Sequence, residues 1–126
     1  MSVNLERLKK YGNFYSNKKL TDLAVNMNYT YDDMATIIAI EELSELIHAT
    51  TKWLRFDRDK EMNEYHYDDD KLNITEELAD ATIALSIIKD KAGITQDELN
   101  RMIAYKIDVK SHICESGKMV KGSTIL

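Results

Sequence analysis

Residues 41–53 read EELSELIHATTKW, and residues 76–80 give a shorter echo, EELAD. Both stretches lie in apolar, helix-like segments, yet both set carboxylates where a helix ordinarily carries leucine. On a wheel of about 100° per residue, Ile38, Leu43, Leu46, Ile47, Ala49, Trp53 and Leu54 make one broad apolar arc. Glu42 falls inside that arc beside Ala49 and Trp53, and Glu45 lies at its edge near Ile38. Glu41, Ser44 and His48 point to the other side. In the second segment Leu78, Ala81, Ala84, Leu85 and Ile88 form the apolar face. Glu77 sits between Ala84 and Ile88 there, and Asp80 between Ala84 and Ile87.

Working outward, the breaks in this helical repeat divide the chain. Proline is absent and there are only four glycines, which favours helix over a turn-rich β fold. Residues 4–27 are expected to hold one or two short helices broken near 12–17. Thr30 as N-cap, with Asp32 and Asp33 in the first turn, predicts a long helix over 31–55. The charged stretch 56–73 reads as an acidic loop. Asn73-x-x-Glu76 signals a further helix that stops at Gly93. Thr95-x-x-Glu98 is a second capping signal, opening a helix to about residue 116, before an irregular tail over 118–126. The expectation is one all-α domain over 1–126, a four- to five-helix bundle with its core in 31–116.

Composition bounds the function. A net charge of -5 argues against a nucleic acid polymer as partner. The single cysteine, Cys114, forms no internal disulfide and suits a reducing compartment. No apolar run reaches the roughly 18 residues that a membrane span needs. The charged N-terminus has no signal-peptide core, so a cytoplasmic protein without membrane contact is expected.

If the two acid-bearing helices pack antiparallel, Glu42, Glu45, Glu77 and Asp80 converge. Desolvating an unpaired ion costs several kcal/mol, and like charges nearby add repulsion. Against a net stability of about 5–15 kcal/mol, four such groups require compensation. A divalent cation provides it, and an all-oxygen donor set suits Mg²⁺ or Mn²⁺ rather than zinc. Either pair alone would read as a solvated helix face. Two pairs, each inside an apolar arc, point to a site.

Basic residues supply a second component. Lys106 and Lys110 share the sector of Leu99, Ile103, Ile107 and Ile113, where lysines also snorkel from an apolar edge. Facing the carboxylates, they would meet an anionic ligand held by metal. Lys52 and Arg55 are further candidates, and Trp53 offers a face for stacking on a base as well as ordinary core packing.

Glu41-Glu42-Leu43-Ser44-Glu45 followed by Glu77-Leu78-Ala79-Asp80 resembles the EExxE…ExxD signature of the MazG-like, all-α nucleoside triphosphate pyrophosphohydrolases. The longer run EELSELIHATTKWLR is similar to that of small phage and bacterial members, and the resemblance covers about residues 32–116. It implies Mg²⁺ ligation by Glu42, Glu45, Glu77 and Asp80, with Glu41 as the motif's first acid. It implies cleavage of a nucleoside triphosphate to the monophosphate and pyrophosphate. Such proteins work as homodimers or homotetramers. The connection from Glu45 to Glu77 is longer than in compact members, which bears on substrate choice more than on the metal site. No Walker A loop is present.

Two other classes compete. A ferritin-like di-iron site needs two Glu-x-x-His pairs, and only Glu45-x-x-His48 qualifies, since Asn63 and Val109 precede the other histidines by three. A non-catalytic relative that binds nucleotide or protein is the other, although a pure scaffold would gain stability by losing the acids.

Overall fold

With no proline to interrupt them, the apolar repeats close into long helices. The computed structural model describes residues 3–12, 16–56 and 67–117. Five helices follow in order: α1 (Leu5–Leu8), α2 (Asn17–Tyr31), α3 (Asp33–Phe56), α4 (Tyr67–Lys91) and α5 (Gln96–Glu115). The described residues contain no strand, so the class is all-α. The chain divides into two compact units, Met1–Ala92 and Gly93–Leu126.

In the first unit α3 and α4 share the most extensive contact, and α2 packs against both. Lys91, at the end of α4, pairs with Asp32 and, at 3.6 Å, with Asp33 at the start of α3. The two helices are therefore antiparallel. Asn28 of α2 donates its amide to the Ile87 carbonyl (2.8 Å) and to the Asp90 carboxylate (2.9 Å), tying the same end of α2 to α4.

The core of this unit is built chiefly from alanine. Ala24, Ala35, Ala39, Ala49, Ala81, Ala84 and Ile87 are buried. Ala35, Ala39, Glu42 and Ala49 recur at helical spacing along α3, as do Glu77, Ala81, Ala84 and Ile87 or Ile88 along α4. Small side chains on facing stripes let the two backbones approach closely. The apolar arcs expected from periodicity are thereby narrowed: Ile47, Leu54, Leu78 and Leu85 stand more than half exposed, at 68%, 52%, 51% and 57%.

Two boundaries differ from the sequence expectation. Thr30 does not open α3, because α2 continues through Tyr31 and turns at Asp32 (φ 47°). The Asp32 N–H donates back to the Asn28 carbonyl (3.0 Å), and the Ala35 N–H takes up the Asp32 carbonyl (3.0 Å), so one residue makes the corner. Aspartate tolerates positive φ better than most residues. Likewise Asn73-x-x-Glu76 is not a cap, because α4 begins at Tyr67, six residues earlier. Helical spacing of Lys71, Ile74, Thr75 and Leu78 continues upstream of Asn73, and the Thr75 hydroxyl bonds the Lys71 carbonyl within the helix (2.7 Å). The part of the acidic loop at 57–66 and the tail over 118–126 lie outside the described residues, as do residues 13–15 of the early break.

In the second unit the expected capping box is formed. Thr95 Oγ1 accepts from the Glu98 N–H (3.1 Å), and the Glu98 carboxylate accepts from the Thr95 N–H (2.7 Å). Gly93 (φ 70°) ends the preceding helix in the left-handed region that glycine adopts without strain.

The alanine seam predicts its own sensitivity. Ala84→Leu should lower unfolding stability by about 1–3 kcal/mol through overpacking. Ile87→Ala should cost about 2–5 kcal/mol through the cavity it leaves. Urea denaturation followed by helical circular dichroism measures both, and an unchanged midpoint for Ala84→Leu would place the α3–α4 contact elsewhere.

Candidate metal centre

The alanine stripes bring the acids together. Glu42 lies one turn beyond Ala39 on α3, and Glu77 one turn before Ala81 on α4, so both replace core residues on the packing face. Carboxylate oxygens of Glu42, Glu45 and Glu77 lie within 4.8 Å of one another. Glu42 and Glu77 are half-buried, and Glu45 is exposed at the rim. Asp80, also half-buried, lies against Glu42, and the two carboxyls share a hydrogen bond when one is protonated. Glu41 is exposed and stands apart from this group, as its place on the wheel predicts.

The electrostatics follow from burial and crowding. Desolvation raises the Glu42 carboxyl above its ordinary value, and the charges of Asp80, Glu45 and Glu77 push it further the same way. Glu77 is raised chiefly by desolvation, then by Glu45, Asp80 and Glu76. Asp80 is also raised, by desolvation first and then by Glu76 and Glu45, while its hydrogen bond to Glu42 pulls in the opposite direction. Nothing basic among the described residues pairs with these acids.

Two oxygens test whether a cation fits. Glu42 Oε2 and Glu77 Oε2 are buried with no hydrogen-bond partner. An orphaned buried acceptor costs its full desolvation, and here one is on each of the two packed helices, α3 and α4. A hard divalent ion takes oxygen ligands of this kind and favours the charged form of each. The donor set therefore fits Mg²⁺ or Mn²⁺, with Glu42, Glu45 and Glu77 as the converging ligands and Asp80 adjoining.

The basic candidates fall in different places. Lys52 is exposed two turns beyond Glu45, and Arg55 lies in the last turn of α3. Trp53 is 40% exposed and lines a hollow between the C-terminal half of α3 and the N-terminal part of α4. Lys106 and Lys110 lie one turn apart on α5, in the second unit. The same hollow contains Lys71, a residue that the loop expectation for 56–73 conceals. The spacing of Lys71, Ile74 and Leu78 carries that signal, outweighed in sequence by the Asn73 capping pattern. Compared with models of known protein families, with curated proteins and with solved structures, the chain matches none.

The raised carboxyls define a pH test. In metal-free protein the folded state keeps protons that the unfolded chain has already released. That contribution to stability is complete below the ordinary values of 4.5 for glutamate and 3.8 for aspartate, and is lost as pH rises through the raised values. In chelator, Glu42→Gln should therefore be more stable than wild type at neutral pH, with the gap shrinking on acidification toward about pH 4.5. Melting temperatures across pH check this. Magnesium at about 100 times its Kd should raise wild-type stability by about 2.7 kcal/mol and leave Glu42→Gln nearly unmoved.

Proposed function

We propose that this chain is a magnesium-dependent nucleoside triphosphate pyrophosphohydrolase, releasing the monophosphate and pyrophosphate, similar in kind to the MazG-like enzymes. The observation that carries the reading is the convergence of Glu42, Glu45 and Glu77 within 4.8 Å, with two of their oxygens buried and unpartnered. Glu42, Glu45, Glu77 and Asp80 would hold Mg²⁺, with Mn²⁺ as a substitute. Held there, the ion would neutralise phosphate charge and make a bound water more acidic. The protein's own contribution is positional. Facing helices fix the carboxylates before substrate arrives, so little reorganisation accompanies the reaction. Lys52 and Arg55 bind phosphate oxygens, and Lys106 and Lys110 of α5 offer ammonium groups that suit a pyrophosphate. Trp53 stacks on the base. Glu41 matches the motif's first acid and points outward. The chain supplies no covalent nucleophile.

The working form is a homodimer or homotetramer acting on the cytoplasmic nucleotide pool. In support, Ile37, Ile40, Ile47 and Leu54 are exposed along α3 at intervals of three and seven residues, the spacing of a helix–helix seam. No described helix is long and apolar enough to cross a membrane.

Incubation with Mg²⁺ and a panel of canonical, deoxy and modified triphosphates should give monophosphate and pyrophosphate. Glu42→Gln and Asp80→Asn should each lower the rate by at least about a hundredfold with the helical fold intact. No turnover of any nucleotide with either metal would leave a binding protein and sink the enzyme reading. Lys106→Ala should weaken triphosphate binding more than monophosphate binding, as isothermal titration would record.

A further inference from the structure

Along the same helix pair as the carboxylates, Thr50, Trp53, Lys71, Ile74, Thr75 and Leu78 line an open hollow of about 360 Å³. Its lining is mostly apolar, with Ile74, Leu78 and Trp53 contributing. Its volume falls at the lower end of the range for small-molecule sites, about 300–1,000 Å³. Among the described residues, Lys71 is the single charged one lining it, and it makes no ion pair with another of them. Lys71 and Thr75 are four residues apart on α4 and so share a face. Their chemistry is complementary. The Lys71 ammonium can only donate, whereas the Thr75 hydroxyl spends its proton on the Lys71 carbonyl (2.7 Å) and offers lone pairs to a ligand.

A flat heterocycle that meets this pair presents an acceptor beside an N–H, and an ammonium favours a carbonyl oxygen as that acceptor. We infer that the hollow seats a lactam nucleobase of the uracil or hypoxanthine kind, with Lys71 reading the carbonyl and Thr75 the adjoining N–H. Lys71 is then the residue that determines specificity. The inference rests on the pyrophosphohydrolase reading, because the carboxylates nearby place the triphosphate. Adenine puts a ring nitrogen and an amino group on the matching edge and lacks the carbonyl oxygen that best accepts from an ammonium. Loss of a hydrogen bond that a site is built to make is what separates close analogues.

Trp53 is the chain's only tryptophan, so its fluorescence reports this hollow directly. The α,β-imido analogues of UTP and ATP, titrated in Mg²⁺, should both quench it, with the uracil analogue at least about tenfold tighter. Lys71→Met should weaken the uracil analogue about tenfold and leave the adenine analogue unchanged, while Lys71→Arg retains most of the preference. Equal affinity of the wild type for both analogues overturns the inference, as does an equal loss for both in Lys71→Met. Turnover assays separate the two readings. If triphosphates are cleaved with the same base preference before and after Lys71→Met, the seat is refuted and the enzyme stands. Uracil-selective quenching without turnover of any triphosphate keeps the seat and removes the enzyme. Failure of both analogues to bind in Mg²⁺ overturns both.

Discussion

Two glutamates, Glu42 and Glu77, occupy positions on facing helices where the surrounding stripes are alanine, and their buried oxygens find no partner. Most of the first unit can be read as the means of tolerating that arrangement. Large side chains on the seam would separate the helices and let water reach the acids, relieving their desolvation but scattering the ligand set. Alanine does the reverse: it draws the backbones together and holds the carboxyls in a space of low polarisability. The cost is a core with little apolar area per residue. Ile87 is the largest side chain fully buried among the described residues, so stability has to come from the length of the helix contact rather than from its depth.

The crowding also explains why the acids differ. Glu45 sits at the rim, where water screens it, whereas Glu42, Glu77 and Asp80 are held partly out of solvent. Partial burial makes a carboxylate a stronger partner for a cation because competing water is scarce. A fully exposed quartet would be an ordinary acidic surface, and a fully buried one would stay protonated. The observed depth falls between those limits.

Much of this was legible in the sequence because it depends on local periodicity. The all-α class, the outward direction of Glu41, the inward direction of Glu42 and Glu77, and the Thr95–Glu98 box follow from spacings of three and four residues. The breadth of the apolar arcs was not. Leu78 and Leu85 satisfy the same repeat as Ala81 and Ala84, and only the close approach of α3 to α4 decides that the alanines are inside. Helix ends were missed for a related reason. Thr30 and Asn73 are good caps in isolation, but Asp32 makes the corner between α2 and α3, and α4 already begins at Tyr67, upstream of Lys71. Lys71 entered the candidate site only with that extra turn.

The polar contacts at the closed end of the first unit, Lys91 with Asp32 and Asp33, and Asn28 with Ile87 and Asp90, are about three helical turns from the acids. Alanine stripes are nearly featureless, and a smooth surface permits one helix to ratchet along another. A slip of one turn would move a side chain by about 5.4 Å, more than the 4.8 Å that spans the three glutamates. The clip at the far end therefore acts as an index stop. It sets the register in which the glutamates face one another, although none of its members approaches the ion they would hold.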